Sequence, residues 1–207
     1  MREVDPKTTS RAKAFELWMK AAMPMVTMTK RFDITHLCRV AKRKGVKLNM
    51  LMCYAVVKAA SAFKEFYMLP VGDKLMEFDN IAINTIVMTK DGGINTCDIP
   101  YSDDIHKFET DYLKLTTLAQ TSDKDVVLGD DYMVIGSSAL TKCELDSVVN
   151  VYAGFWNNPF VVWSKYRKGL FKTTLSLSFQ FHHTQMDGPI STGFLNRLQE
   201  VMNEIKY

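Results

Sequence analysis

The sequence predicts one α+β domain over residues 1–207, with helices packed on a mixed, largely antiparallel sheet. Segments with strand-like alternation are interleaved with segments of helical period along the whole chain. A tight turn at Asp91–Gly93 lies between two strand-like segments and indicates a β-hairpin. Because no linker rich in proline, glycine or serine divides these elements, we expect a single domain.

Helices are predicted over residues 10–22, 35–44, 49–63, 103–120 and 189–205. Ser10 and Ser102 are expected to cap the first and fourth of them, because a serine hydroxyl can accept from a free amide at a helix start. Gly45 is expected to end the second helix, since glycine adopts the left-handed conformation there at little cost. Pro189 suits the first turn of the last helix, which carries its apolar residues on one face.

Strands are predicted over residues 24–34, 74–78, 81–90, 94–100, 132–140, 159–166 and 172–183. The last strand, KTTLSLSFQFHH, has the clearest alternation of apolar and polar residues. The segment 74–78 and the next strand are expected to form hairpin-like pairs together with the strand that returns from the DGG turn.

Composition excludes several classes of function. Hydrophobic residues make up 47% of the chain and charged residues 24%, as in ordinary globular proteins. A net charge of +3 is too small to favour nucleic-acid binding, and no segment has the roughly 18 apolar residues of a membrane span. Four scattered cysteines predict reduced thiols in a cytoplasm and no metal site. They are Cys38, Cys53, Cys97 and Cys143.

One local basic cluster lies between Arg39 and Lys47, in the segment RVAKRKGVK. A solvated helix end explains it simply, because cations are favoured at the carbonyl end of the helix dipole. The same cations could also bind a ligand that carries phosphate groups. The sequence leaves both readings open.

The candidate chemistry lies at the end of the last strand. Alternation predicts that His183 continues the apolar face of the strand and that His182 continues the polar face. A partly desolvated imidazole stays neutral near pH 7, as a general base must. Asp187 follows in a turn and can return toward the histidine or hold the turn. The alternative is a core histidine bound to a backbone carbonyl, with Asp187 as a helix cap.

The motif HHTQMDG and the helix with LNRLQE resemble the HHxxxDG signature and closing helix of the chloramphenicol acetyltransferases. Further patches resemble the family in the same order: SRAKAFE, RFDITHL, PYSDD, SSAL and SKY. Together they cover nearly the whole chain. The resemblance implies the CoA-dependent acyltransferase fold, acetyl-CoA as co-substrate, and a cytoplasmic homotrimer with its active sites between subunits.

The resemblance also implies roles for single residues. His183 is the general base, and Ser138 is the donor to the oxyanion of a neighbouring subunit. Arg11 and Asp187 form a structural pair that holds the turn of the base. Lys47 and the pair Lys165 and Tyr166 match the family's coenzyme residues, in which the tyrosine stacks on adenine and the lysines face phosphates.

The acceptor side departs from the family pattern. By alignment Trp18 replaces a tyrosine, Ala22 a leucine and Val162 a threonine, and Ile94 stands where a phenylalanine lines the drug pocket. The expected function is chloramphenicol O-acetylation, a form of antibiotic resistance, with another small hydroxyl acceptor as the alternative. A dihydrolipoamide acyltransferase core is disfavoured because no lipoyl segment precedes the domain. A trimeric binding protein without catalysis is the remaining alternative.

Overall fold

A computed structural model describes residues 1–207. Its helices are α1 (Ala12–Trp18), α2 (Thr35–Lys44), α3 (Leu48–Ala60), α4 (Ile105–Thr121) and α5 (Gly188–Glu204). Its strands are β1 (Arg2–Val4), β2 (Met25–Asp33), β3 (Met68–Val71), β4 (Lys74–Glu77), β5 (Asn80–Met88), β6 (Ile94–Pro100), β7 (Tyr132–Leu140), β8 (Phe160–Ser164), β9 (Arg167–Lys168) and β10 (Thr173–His182). Short 3₁₀ turns occupy Pro6–Thr8 and Lys64–Tyr67.

The main sheet has seven strands in the order β2-β10-β8-β7-β5-β6, with the short β9 paired to β10. Only β7 runs parallel to its neighbours β5 and β8, and the other pairs are antiparallel. The predicted mixed, largely antiparallel sheet is therefore confirmed. Strand β4 was expected to pair with the hairpin strands of this sheet, but that prediction was wrong. It pairs with β1 and β3 in a separate three-stranded sheet.

Two helix caps differ from the predictions. α1 begins later than expected, because the Thr9 hydroxyl rather than Ser10 accepts from the Arg11 amide, and it ends at Trp18, before the expected end at Ala22. Asp104, not Ser102, caps α4 by accepting from the His106 amide. Gly45 ends α2 as predicted, with a φ of 70°.

The core lies between the main sheet and its helices. Phe66, Phe179 and Phe194 contact one another there, and α3 is buried on nearly all sides. The opposite face of β10 is also covered, since Ser178 accepts from the Val148 amide and Gln180 donates to the Asn150 carbonyl. Strand β10 is therefore buried on both faces, which fixes the position of the residues at its end.

None of the five helices combines the length and the apolar character that a membrane span needs.

Candidate active site

Strand β10 ends at His182, so His183 is the first residue of a turn and not a further position on the apolar face. The prediction from strand alternation was wrong here, because alternation stops where the ladder stops. The His183 amide donates to the Pro24 carbonyl at 2.8 Å, which ties the turn to the segment between α1 and β2. His183 is half-buried in this position.

Arg11 holds the turn from one side. Its buried guanidinium donates to the carbonyl of His183 at 3.1 Å and to the carbonyl of Thr184 at 2.9 Å. The third contact goes to the Asp187 carboxylate at 3.0 Å. Asp187 occupies the N-cap position of α5 but caps no amide with its side chain. The Arg11–Asp187 contact implied by the resemblance is present, and Arg11 additionally binds the backbone of the turn directly.

Gln185 holds the same turn from another side, and sequence reasoning missed it. Its side chain is fully buried, and its amide nitrogen donates to the carbonyls of Glu65 at 3.1 Å and Met68 at 2.7 Å. These acceptors lie in the 3₁₀ turn before β3 and at the start of β3. The presence of a glutamine among apolar core residues was the available signal, because a buried amide must find partners.

The imidazole of His183 lies against the indole of Trp18, with ring centroids 4.7 Å apart and planes 7° from parallel. Its Nδ1 is buried without a hydrogen-bond partner, whereas Nε2 is neither buried in this way nor bonded within the chain. A base acting through Nε2 is therefore available to an incoming hydroxyl. Trp18, which sequence alignment assigned to the acceptor wall, is in direct contact with the candidate base.

His182 differs from His183 in every respect that matters for a base. It is 2% exposed, and its Nδ1 accepts from the Thr184 amide at 3.1 Å. Burial, aided by the nearby His183, lowers the pKa of His182 to about 4. This histidine is neutral at pH 7 and serves the geometry of the turn.

Ser138 lies on the sheet face that points away from the helices. The register pairs it with Val162 on β8, and Val162 with Ser178 on β10, so the three side chains form a row across the strands. Its neighbour Ser137 points the other way and donates to the Asn84 carbonyl. The Ser138 hydroxyl makes no hydrogen bond within the chain and is half-buried.

Ser138 and His183 are far apart within one chain. The row through Ser138 meets β10 at Ser178, which is five residues before His183. Five strand residues and two strand spacings put the two residues about 19 Å apart. They cannot act on the same reacting atoms in one chain.

The three candidate coenzyme residues are exposed and lie away from His183. Lys165 follows β8, and its amide donates to the Cys143 carbonyl. Tyr166 is 37% exposed, with the Lys168 ammonium 5.9 Å from its ring. Lys47 is at the N-cap position of α3, in the short connection that follows α2. Because Trp163 pairs with Leu177 in antiparallel register, Lys165 and Tyr166 lie next to the start of β10, whereas His183 follows its end.

The remaining acceptor candidates are divided in the same way. Ala22 is exposed in the segment that leads to Pro24, close to the His183 turn. Ile94 is 67% exposed at the start of the edge strand β6, four strands from β10, and Val162 lies beside Ser138. The structure thus groups Trp18 and Ala22 with His183, but not Ile94 or Val162.

No group of three or more histidine, cysteine, aspartate or glutamate side chains is arranged to hold a metal ion. All four cysteines are free thiols.

The chain is similar to known proteins both in sequence and in fold. Chloramphenicol acetyltransferase 3 of Escherichia coli is 28% identical over 205 residues, which cover 96% of this chain and 95% of the relative. A solved chloramphenicol acetyltransferase has a TM-score of 0.85 at 20% identity, covering 97% of this chain and 99% of its own. A probable dihydrolipoamide acetyltransferase from Listeria monocytogenes has a TM-score of 0.69 at 17% identity, covering 99% and 94%, and shows a shared fold alone.

A family model described as chloramphenicol acetyltransferase matches residues 1–199, nearly the whole chain. This match, together with the relatives just described, means that the chain belongs to the chloramphenicol acetyltransferase family and is an acetyl-CoA-dependent acyltransferase.

Proposed function

We propose that this chain is a chloramphenicol O-acetyltransferase in which His183 is the general base. The acceptor is supported by the names of the relatives and by the family match. The base is supported by the contrast between the two histidines of the signature. His183 has an accessible Nε2, while His182 is buried with its Nδ1 already bonded.

In the reaction, Nε2 of His183 removes the proton from the acceptor hydroxyl as its oxygen attacks the acetyl carbonyl of the thioester. The Ser138 hydroxyl donates to the oxyanion of the tetrahedral intermediate. When the intermediate collapses, the carbon–sulfur bond breaks and the departing thiolate takes the proton from the imidazolium. General base catalysis is typically worth about 10²–10⁴-fold, and a well-aimed oxyanion donor about 2.7–4 kcal/mol.

The separation of Ser138 from His183 carries the further proposal of a homotrimer with its sites between subunits. A distance of about 19 Å within one chain requires that the serine come from a neighbour if both act on one intermediate. An exposed apolar segment before β8 gives a neighbour something to cover. It contains Val149, Val151, Phe155 and Trp156, each at least 67% exposed.

Mixed trimers test this arrangement. Chains with His183→Ala and chains with Ser138→Ala are each expected to be nearly inactive alone. After denaturation together and refolding in equal amounts, about a quarter of the sites combine an intact His183 with an intact Ser138, so activity should return to that level. Ser137→Ala serves as the control, since its hydroxyl binds the Asn84 carbonyl inside the chain. A mixture that stays inactive would contradict sites between subunits.

A second acceptor class is favoured by the residues around His183. Trp18 is bulkier than the tyrosine of the family pattern, whereas Ala22 is smaller than the leucine. The surface next to His183 therefore differs in shape from that of the family pattern. The alternative function is acetylation of another small hydroxyl compound by the same chemistry. Release of free thiol from acetyl-CoA, measured with chloramphenicol and with a panel of other alcohols, distinguishes the two. A faster alcohol in the panel would overturn chloramphenicol as the acceptor.

We also propose that the enzyme acts in the cytoplasm, where acetyl-CoA is available, and that it confers resistance to chloramphenicol. Expression of the chain in a sensitive bacterium should raise the chloramphenicol concentration that permits growth. The His183→Ala variant should not.

A further inference from the structure

The exposed face of α2 carries cations that the proposed reaction has not used. Leu37 and Val40 face the core, while Arg39, Lys42 and Arg43 are exposed. None of these three cations forms a salt bridge or a side-chain hydrogen bond with another residue. The neighbouring Lys44 lies over the ring of Tyr207 at 5.7 Å. Unpaired cations side by side repel one another, so this face gains from an anionic ligand.

The beginning of α2 is joined to the β9–β10 hairpin. The Thr35 hydroxyl accepts from the Thr173 amide at 2.8 Å, and Lys172 lies 3.5 Å from the Asp33 carboxylate. Burial raises the pKa of the Cys38 thiol, and the nearby Lys168 ammonium opposes that rise. The register pairs Lys168 with Thr173, whose carbonyl accepts from the Ile34 amide at 2.8 Å, so Lys168 lies beside the start of α2.

Helical spacing identifies which cations face the hairpin. Thr35, Cys38 and Lys42 lie three and four residues apart and so occupy one side of α2. Arg39 is next to this row on the solvent side. Lys168, in the hairpin, has no carboxylate partner and also lies over the ring of Tyr166. Arg39, Lys42 and Lys168 thus form one cationic surface, called here the approach surface.

The approach surface lies between the two groups of candidate coenzyme residues. Lys165 and Tyr166 lie at the base of the hairpin, near the start of α2, and Lys47 follows the end of α2. The ten residues of α2 separate these groups by about 15 Å. Coenzyme A carries a diphosphate and a 3′-phosphate on different sides of its ribose, so its nucleotide end presents charge along this line.

We propose that the approach surface attracts the phosphates of the incoming acyl-CoA before the nucleotide binds Lys47, Lys165 and Tyr166. This inference rests on the proposed function. It gives a role to the cations of the basic cluster between Arg39 and Lys47, apart from Lys47, that have no counterpart among the family's coenzyme residues. The approach surface acts on association and takes no part in the chemical step.

A long-range electrostatic role makes specific kinetic predictions. Steering by a charged surface typically raises association rates by about 10–10³-fold and weakens steeply with salt. Loss of the approach surface should lower kcat/KM for acetyl-CoA and leave kcat unchanged. The loss should be smaller for 3′-dephospho-acetyl-CoA, which carries less negative charge.

The test compares Arg39→Glu/Lys42→Glu with Lys114→Glu/Lys124→Glu, which makes the same charge change at exposed, unpaired positions on and after α4. At low salt the first variant should lose about tenfold in kcat/KM for acetyl-CoA relative to the second. The difference should vanish near 0.5 M salt, because the Debye length there is only about 4 Å and charges farther apart are screened from one another. Arg39→Gln/Lys42→Gln should show an intermediate loss at unchanged Tm.

The proposed role of the approach surface is contradicted if both charge-reversal variants have the same kcat/KM for acetyl-CoA, or if the loss of kcat/KM persists at high salt. Calorimetric binding of coenzyme A separates this failure from failure of the proposed function. Weaker coenzyme binding in Arg39→Glu/Lys42→Glu than in the control, in a protein that acetylates no alcohol, supports the approach surface and rejects the proposed function. Normal acetylation with identical coenzyme binding in both variants rejects the approach surface alone.

Discussion

Trp18 and His183 form a nearly parallel stack at a centroid distance of 4.7 Å. The imidazole has only its Nε2 open to a substrate, and the indole covers one of its faces. An aromatic face also stabilises a cation above it, so the stack favours the imidazolium that forms during acetyl transfer. Trp18 therefore orients the proposed base and lies against the ring on which positive charge forms during acetyl transfer.

Removal of the stack should lower turnover more than it lowers stability. We expect Trp18→Ala to reduce kcat by about tenfold, because both the orientation and the stabilisation of about 1 kcal/mol from a cation over an aromatic ring are lost. Trp18→Tyr, which keeps an aromatic face, should retain most of kcat. Steady-state kinetics with acetyl-CoA in excess measure both variants. Equal kcat for Trp18→Ala and Trp18→Tyr would mean that the stack has no part in the reaction.

The two histidines can be compared by the same substitution. Asparagine can mimic the Nδ1 acceptor of a histidine but not Nε2. His182→Asn should keep the bond from the Thr184 amide and most of the activity, whereas His183→Asn should lose about 10²–10⁴-fold in kcat. Similar losses in both variants, at matched thermal stability, would reject His183 as the base.

Arg11 should be more important than Asp187, although the two are paired. Arg11 is 3% exposed and binds two backbone carbonyls as well as the carboxylate, while the Asp187 side chain is 41% exposed. Arg11→Ala leaves two backbone carbonyls and the carboxylate unpaired and should cost about 3–5 kcal/mol of stability, whereas Asp187→Ala leaves the buried guanidinium with its two carbonyl acceptors and should cost about 1.5–3 kcal/mol. Chemical denaturation of both single variants and the double variant measures the coupling. Strictly additive losses would mean that the pair does not interact.

His182 predicts how stability depends on pH. Its pKa is lowered from 6.5 to about 4 in the folded chain, so the unfolded chain binds a proton first as the pH falls. This contribution is fully present above pH 6.5, is lost progressively between pH 6.5 and pH 4, and amounts to about 3 kcal/mol. Unfolding free energies measured across this range should fall less steeply in His182→Asn. Identical slopes would show that His182 is not the group responsible.

The residues on the acceptor side that differ from the family pattern predict weak acetylation of chloramphenicol. A leucine in place of Ala22 would add three carbons near the His183 turn, worth about 2 kcal/mol of apolar contact if they are buried. Val162→Thr would restore a hydroxyl beside Ser138. We expect the double variant to have a lower KM for chloramphenicol and a higher kcat than the parent chain. A parent chain that is already fast and tight-binding would contradict this view of the wall.

Much of the fold could be predicted because local signals and packing agree. Strand β10 alternates over its whole length, and Gly45 ends α2 through its own backbone preference. The predicted start of α1 was wrong because the neighbouring residues Thr9 and Ser10 both carry hydroxyls that can accept from an amide. The choice between them depends on the tertiary contacts of Arg11, which have no local signal. The pairing of β4 depends on the distant β1 and has no local signal.

The candidate site could be predicted only in part for a similar reason. His183, Asp187 and Arg11 were identified through the family signature, and their contacts are present. The stack with Trp18 and the contacts of Gln185 depend on how α1 and the 3₁₀ turn pack against the end of β10. Alternation along β10 could not reveal them, because His183 lies just beyond the strand.

The contacts that hold the His183 turn have an evolutionary consequence. Arg11 and Gln185 bind main-chain oxygens of Glu65, Met68, His183 and Thr184, and every amino acid supplies such an oxygen. Positions 65, 68 and 184 can therefore drift in sequence while the turn keeps its shape. The buried Thr184 hydroxyl has no partner, so even valine should be accepted there. Selection on the turn then falls mainly on Arg11 and Gln185, which hold the turn and are not among the proposed reacting groups.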